Sequence, residues 1–227
     1  MKKIFFSTAL VLSGAFFTAS AQSTGTTGSG LSFGIRAGVN LQNINGTDYG
    51  DDKLKNKLVP RFHAGVNVEL PLADQFYLQP GLLFSTKGAE FRNSDIGLNN
   101  ANLNVSYLEV PINFLFKPTL GSTKLLLGVG PYVAFGIGGK LTPDGGSATT
   151  LEFKNEMNAL ETLNGNVYRR LDAGANLWFG CELSSKISAQ LNAQLGLAKI
   201  NPEVEGANDN KAAYRNTGFG LSLGYRF

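Results

Sequence analysis

Apolar and polar residues alternate with a period of two along most of the chain, which is the pattern of β-strands. In the stretch RFHAGVNVEL, Phe62, Ala64 and Val66 fall on one side of an extended chain, and His63 and Gly65 fall on the other. Eight segments alternate in this way: 31–41, 61–70, 76–87, 107–116, 125–137, 170–183, 187–197 and 216–227. An even number of strands permits a closed barrel, so we predict an all-β, eight-stranded antiparallel transmembrane β-barrel, an up-and-down meander.

The connections between these segments alternate in length. Three are short (71–75, 117–124 and 184–186), and four are long and polar (42–60, 88–106, 138–169 and 198–215). Short turns at one end and long loops at the other are typical of the periplasmic and extracellular ends of an outer-membrane barrel. In the third long loop, Phe153, Met157 and Leu160 have helical spacing, so either a short helix or a continuation of strands five and six fits the sequence.

The composition of the two faces indicates which one meets the solvent. The apolar face carries no charge within the predicted strands, and its aromatic residues lie towards strand ends, as interfacial girdles do: Phe33, Phe62, Phe76, Phe84, Phe116, Phe135, Phe219, Tyr225 and Phe227. The other face holds thirteen of the 28 glycines: Gly34, Gly38, Gly65, Gly81, Gly128, Gly130, Gly136, Gly174, Gly180, Gly196, Gly218, Gly220 and Gly224. Glycine packs little and costs conformational entropy, so a narrow interior shared with large side chains is its expected place. We therefore predict that the apolar face meets lipid and that the glycine-rich face lines the lumen.

The lumen face carries charges of both signs. The predicted lumen polar network is Arg36, Arg61, His63, Glu69, Lys87, Glu109, Arg170, Asp172, Glu182 and Arg226, five cations against four carboxylates. Unpaired ions in a confined interior are costly, and the bore of an eight-stranded barrel is just filled by side chains. We expect two cross-linked layers: Glu69, Glu182 and Arg226 near the turns, and Arg61, His63, Lys87, Glu109, Arg170 and Asp172 near the loops.

Three prolines lie within predicted strands, namely Pro80, Pro111 and Pro131. Each removes a hydrogen-bond donor that lipid cannot replace, so bulges or local irregularities are expected there.

The N-terminal segment resembles a secretory signal. Lys2 and Lys3 precede an apolar run (4–18) and the cleavage motif Ala19-Ser20-Ala21, so we predict a signal peptide at 1–21, a flexible lead-in at 22–30 and the barrel domain at 31–227. Without those two lysines, the 20 basic residues become 18 against 17 acidic ones, an excess of +1 that predicts no nucleic-acid partner. No other apolar run approaches the roughly 20 residues of a membrane-spanning helix.

Candidate chemistry is sparse. His63 is the only histidine, so a packed polar histidine is preferred to a base acting with Glu109 or Asp172. Asp48, Asp51 and Asp52 could hold calcium, but their spacing is not that of an EF-hand, and solvated loop charge is preferred. The sequence therefore predicts no catalytic residues, no cofactor and no metal site.

Several stretches together resemble a known family: FGIRAGVNL (33–41), YLEVPINF (107–114), GVGPYVAFG (128–136), RRLDAGANLWFGCEL (169–183) and GFGLSLGYRF (218–227). They are similar to the small outer-membrane β-barrel family that includes PorT-like proteins, related in architecture to OmpX and the OmpA barrel. The resemblance implies a location in the cell outer membrane. It also implies that Tyr225 and Phe227 form the C-terminal signal recognised by the barrel-assembly machinery.

The function we expect is that of a non-enzymatic outer-membrane barrel with a plugged polar lumen. It would act through its extracellular loops, or as a structural component associated with the membrane or a secretion system. The expected partners are outer-membrane lipids and lipopolysaccharide, the barrel-assembly machinery, and a secretion-system or surface partner bound by the long loops. The main alternative is a narrow porin for very small solutes; a lipid-modifying barrel enzyme and a soluble lipocalin-type barrel with reversed faces are further alternatives.

Overall fold

A computed structural model describes residues 30–48, 50–92, 100–158, 161–162, 165–206 and 211–227. The predicted signal peptide therefore lies outside the described residues. Eight long strands are present: β1 (Ser32–Thr47), β2 (Val59–Ala73), β3 (Phe76–Phe91), β4 (Ala101–Phe116), β5 (Thr123–Pro143), β6 (Leu171–Glu182), β7 (Ile187–Gly196) and β8 (Ala213–Arg226). None of the helices among the described residues has the length and apolar character that crossing a membrane requires.

The eight strands form one closed antiparallel barrel. Each pairs with its neighbours in chain order, and β8 closes the ring on β1 through a register that runs from Gly34 opposite Arg226 to Thr47 opposite Ala213. The predicted all-β barrel is thus confirmed. We call the end with the short connections the turn end and the end with the long connections the loop end.

The outer wall is apolar and the lumen is polar, as predicted. Large side chains such as Phe33, Val66 and Leu191 stand on the outside with more than half of their surface exposed, whereas inward-facing neighbours such as Asn67 and Glu109 are buried. A continuous apolar wall of this size is not found on water-soluble proteins, and it matches the lipid-facing band of an outer-membrane barrel.

The wall has unequal height at the loop end. Three strands extend well beyond their predicted ends at the loop end: β3 continues to Phe91, β4 begins at Ala101, and β5 continues to Pro143. The next two strands are short there, since β6 begins at Leu171 and β7 ends at Gly196. Above these two short strands, the third and fourth long loops are joined by described residues: the Arg169 amide donates to the Ile200 carbonyl, and the Ile200 amide donates to the Tyr214 carbonyl.

The third long loop contains short strands at Phe153 and Met157, where its spacing suggested a helix, and the described residues 161–162 are helical. Glu152–Phe153 pairs with Val167–Tyr168, and Glu156–Met157 pairs with Glu203–Val204 of the last loop. Leu160 lies outside the described residues. Strand five continues to Pro143, as one alternative predicted, but strand six begins at Leu171 and does not continue, and the helical interpretation is wrong for Phe153 and Met157.

The polarity of the two faces inverts at one level of the wall. Along β4 the outward positions are apolar from Phe116 to Leu108 and polar from Ser106 upwards, while the inward positions become apolar at Val105. Neighbouring strands change at the matching level: Phe84 to Thr86 on β3, Leu41 to Asn43 on β1 and Phe219 to Thr217 on β8. Below this level lies the lipid-facing band, and above it lies what we call the loop-end cap.

The length of the band fits a membrane. Leu108 and Phe116 are eight residue steps apart on β4, which is about 27 Å along a strand. A strand tilt of about 40° reduces this to about 20 Å along the barrel axis, close to the band of about 25 Å in outer-membrane barrels.

The loop-end cap has an apolar core of its own. Its buried members come from strand extensions and from the loops: Ile44, Phe91, Ala101, Leu103, Val105, Leu141, Leu151, Tyr168, Ile200 and Tyr214, with Leu54 and Phe153 packed against them. The long loops therefore fold over the barrel mouth as a small domain with a water-soluble type of interior.

The three strand prolines produce local irregularities, which is one of the two predicted outcomes, but no bulges. Ladder pairs are interrupted beside Pro80, Pro111 and Pro131, but the register is the same on both sides of each interruption. The register shifts lie elsewhere, between Pro71 and Ala73 and between Ser106 and Tyr107. The missing donors are thus tolerated as local gaps in the ladder, which require no extra residue.

Candidate functional site

An ion cluster fills the lumen near the turn end. Lys117 Nζ lies 2.6 Å from Glu69 Oε2 and 2.9 Å from Glu182 Oε1, and the other oxygen of Glu69 accepts hydrogen bonds from Arg226 and Gln79. Two cations meet two carboxylates, so this turn-end cluster is neutral.

Lys117 was missed at the level of sequence because it was assigned to the turn after β4. It is 8 % exposed and continues the inward-facing series that includes Glu109, Asn113 and Leu115. The same two-residue period that identified Glu109 would therefore have identified Lys117.

A second ion cluster lies at the level where the wall changes polarity. Lys87 Nζ lies 2.8 Å from Glu109 Oε2 and 3.0 Å from Asp172 Oδ2, and all three side chains are almost completely buried. Tyr132 places its ring centroid 4.0 Å from the ammonium, and Asn216 donates a hydrogen bond of 3.0 Å to Asp172. This loop-end cluster has one cation against two carboxylates.

Arg36 completes the charge balance between the two clusters. Its guanidinium carbon lies 4.0 Å from the ring centroid of Trp178, and its charge interacts with that of Glu109. Among the described residues, the lumen then holds four cations against four carboxylates: Arg36, Lys87, Lys117 and Arg226 against Glu69, Glu109, Asp172 and Glu182.

His63 lies in a chain of neutral hydrogen bonds. Its Nε2 is 2.9 Å from Ser222 Oγ, which donates to Asn192 Oδ1, and Asn192 donates to Asn40 Oδ1. A hydroxyl has one hydrogen, so Ser222 accepts from His63, and Nε2 carries the proton. The geometry is that of a packed polar histidine, and its ring forms no hydrogen bond or ion pair with Glu109 or Asp172.

Two predicted lumen residues lie elsewhere. Arg170 is exposed, and its guanidinium carbon lies 5.2 Å from the ring centroid of Phe135, which faces outward. Arg170 precedes β6, so the strand pattern does not control its direction, and its assignment to the lumen is wrong. Arg61 is half-buried at the loop end and donates to Asn102 Oδ1 and to the Leu103 carbonyl at 2.7 and 2.8 Å.

Glycines make room for the large lumen side chains. A Cβ on Gly38 would lie 2.6 Å from the His63 ring, and one on Gly218 would lie 2.6 Å from the Gln42 side-chain amide. In the described part of the lumen, two cavities beside Arg36 each have a volume of about 20 Å³. Each has room for about one water molecule.

Polar contacts order the outside of the loop-end cap. Arg169 Nη2 lies 2.7 Å from Glu203 Oε1, and the Arg169 amide donates to the Ile200 carbonyl, so the third and fourth long loops are joined. Hydrogen bonds with Glu161 and Glu152 raise the pKa of Lys154, and the bond with Lys154 lowers the pKa of Glu161. These exposed ions lie outside the membrane band and are screened by solvent.

The C-terminal residues, predicted as an assembly signal, lie at the turn end. The rings of Tyr225 and Phe227 are 5.3 Å apart, and the Phe227 amide donates to the Phe33 carbonyl. Both side chains point outward and are exposed.

Comparisons with known proteins agree with this architecture. Residues 20–201, most of the chain, match the outer membrane protein beta-barrel domain family. A search of curated proteins found no match. Solved structures with similar folds include Ail of Yersinia pestis in complex with the heparin analogue sucrose octasulfate. The two sequences are 12% identical, the match covers 87% of this chain and 99% of Ail, and the TM-score is 0.41.

Two further structures are similar at the same level. OprG of Pseudomonas aeruginosa has 11% identity, 88% and 97% coverage and a TM-score of 0.45. Neisserial surface protein A has 10% identity, 87% and 99% coverage and a TM-score of 0.47. The chain belongs to the outer membrane protein beta-barrel domain family, and it is a β-barrel protein of the cell outer membrane.

Proposed function

We propose that this protein is a non-enzymatic outer-membrane barrel with a lumen closed to solutes, acting through its loop-end cap at the cell surface. The observation that carries the proposal is the pair of buried ion clusters. The turn-end cluster cross-links β2, β6, β8 and the end of β4. The loop-end cluster cross-links β3, β4 and β6.

The energetics of these clusters favour a closed lumen. A solute path would have to separate Lys87 from Glu109 and Asp172, or Lys117 from Glu69 and Glu182. Removing one partner of a buried ion pair costs about 3–5 kcal/mol, because the other charge is left uncompensated. The free volume of about 20 Å³ on each side of Arg36 also leaves little room for a solute.

The loop-end cap is the part of the molecule best suited to bind a partner. Its loops are held by the core around Leu103 and Ile200 and by the strands that join Glu156–Met157 to Glu203–Val204. Loops held on a rigid scaffold are the usual place for recognition. We infer a surface or secretion-system partner bound at this cap, with the barrel as its membrane anchor.

Conductance tests the closed lumen. Purified protein in planar bilayers is expected to give no stable unit conductance, and liposomes that contain it are expected not to swell in small sugars. A variant with Lys87→Ala and Lys117→Ala, folded to the same heat-modifiable mobility, is the matched control, because it removes the cation of the loop-end cluster and one of the two cations of the turn-end cluster. Stable conductance of the unmodified protein would support the narrow porin instead.

The non-enzymatic part of the proposal has its own test. Lipid A from cells that express the protein is expected to have the same mass spectrum as lipid A from cells without it. A new lipid A species that depends on expression would indicate a lipid-modifying enzyme.

A further inference from the structure

The lipid-facing wall contains a groove that crosses it from β5 to β1, with a volume of about 730 Å³. Ala193 on β7 stands in register between Leu177 and Phe219, and Ala175 on β6 is paired with Leu195. Small side chains between large ones leave a furrow in an otherwise continuous surface. The furrow runs perpendicular to the strands, along the direction of the ladder hydrogen bonds.

The chemistry of the groove changes along its length. At β5 and β6 its outward-facing side chains are apolar, namely Val129, Ala175 and Leu177. At β8 and β1 it ends at Thr217 and Asn45, at the level where the outer wall becomes polar. A ligand that matched both parts would have an apolar body and a polar end.

A cation lies next to the polar end. Arg215 is two residues beyond Thr217 on the same side of β8 and is the register partner of Asn45. Its Nε donates to the Leu197 carbonyl at 3.1 Å, and no described carboxylate lies within 4.0 Å of its guanidinium. The positive charge at this end is therefore available to an anion.

The dimensions suit one lipid chain. Four inter-strand spacings of about 4.8 Å separate β5 from β1, so the groove is about 19 Å long. One leaflet contributes about 15 Å of the hydrocarbon thickness, and the strand tilt inclines the groove towards the membrane normal. The volume also lies within the range of about 300–1,000 Å³ that is typical of small-molecule sites.

We propose that this groove binds a lipid with an anionic, phosphate-containing head group. An acyl chain lies over Ala193 and Ala175, and the phosphate meets Arg215, Asn45 and Thr217. A second copy of the chain fits less well, because the outward positions of the lipid-facing band carry no charge that could neutralise Arg215. The site is independent of whether the lumen conducts.

Native mass spectrometry of the protein released from detergent tests the head-group contact. The probes are phosphatidylglycerol and phosphatidylcholine with identical acyl chains. Arg215→Gln is expected to lower the preference for phosphatidylglycerol roughly fivefold, the factor that one cation near an anionic surface contributes. Lys140→Gln, which removes an exposed cation at the loop end outside the groove, is the control and is expected to leave the preference unchanged.

A second pair of variants tests the acyl-chain contact. Ala175→Leu with Ala193→Leu fills the groove with apolar atoms and is expected to weaken binding of both lipids. Ala189→Leu lies on the same outer face of β7 but outside the groove, and it is expected to have no effect. Heat-modifiable mobility checks folding, and Ala193→Val alone replaces the double variant if the latter does not fold.

Two results would overturn the proposal. The first is equal lipid binding by the groove variants and their controls. The second is a species of two protein chains that disappears on filling the groove, because the wall would then be an interface between copies.

Discussion

The lipid-facing band and the loop-end cap are built from the same strands, yet the polarity of their inward and outward faces is opposite. In the band, β4 turns Leu108 and Val110 outward and Glu109 inward; in the cap, it turns Asn104 outward and Leu103 and Val105 inward. The alternation along β4 continues unchanged through this level, but the solvent outside the strand changes. The outward positions of a strand are thus apolar where lipid lies outside and polar where water lies outside. The level at which they change marks the membrane surface.

The loop-end cluster lies at the junction of these two regions and should give the largest effect. Lys87→Met leaves Glu109 and Asp172 buried without their cation, so we expect a loss of about 3–5 kcal/mol in the free energy of unfolding. Denaturant unfolding in lipid vesicles measures it. Lys140→Met, at an exposed site, is the control; an equally small change for both variants would mean that the cluster contributes nothing to the fold.

A matched pair of leucines on β4 separates cap from band. Leu103→Ala opens a cavity in the core of the cap and should cost about 2–5 kcal/mol. Leu108→Ala should cost less, because Leu108 faces lipid, which fills the space that its side chain leaves. Limited proteolysis of the long loops reports on the cap, and heat-modifiable mobility reports on the barrel. Equal sensitivity of the two leucines would remove the distinction.

Charge insertion should locate the boundary. An arginine at Val110, inside the band, should cost about 2–4 kcal/mol, whereas one at Ser106 should cost about 0–1 kcal/mol because it lies at the interface. The free energy of unfolding from lipid vesicles is the measurement. Comparable losses at the two positions would place the membrane surface elsewhere.

The smallest effect is expected at the surface of the cap. Lys57 and Glu90 form an exposed ion pair with an Nζ–Oε1 distance of 2.8 Å. Lys57→Ala should change stability by about 0–1 kcal/mol, since solvent screens such pairs and each side chain loses entropy in forming them. A change as large as that of Lys87→Met would show that exposure does not control the strength of the ion pairs.

Much of the barrel could be predicted because alternation fixes which residues share a face. The two-residue alternation alone placed four residues correctly in the lumen: Glu69, Lys87, Glu109 and Asp172. Alternation does not determine the direction of a side chain beyond the end of a strand, and Arg170 was misplaced for this reason. Lys117 was missed because the alternation of β4 was followed only to Phe116, although Lys117 continues its inward-facing series.

The loop-end cap was not predicted, for a different physical reason. Ala89 and Phe91 continue the inward-facing series of Lys87 on β3. Leu103 and Val105 continue the inward-facing series of Glu109 on β4. The sequence therefore contained these faces, but alternation does not encode the change from lipid to water outside the wall, and this change decides whether the inward face is polar or apolar. The contacts between the third and fourth long loops join residues far apart in the chain, and no local pattern reports them.

Site-directed spin labelling along the outward face of β4 tests the inversion of polarity most directly. Labels at 102, 104 and 106 are expected to meet a water-soluble relaxation agent in reconstituted bilayers, and labels at 108, 110 and 112 are expected to meet oxygen dissolved in the hydrocarbon. A label at Val110 that is accessible to the water-soluble agent, or one at Asn104 that is shielded by acyl chains, would contradict this account.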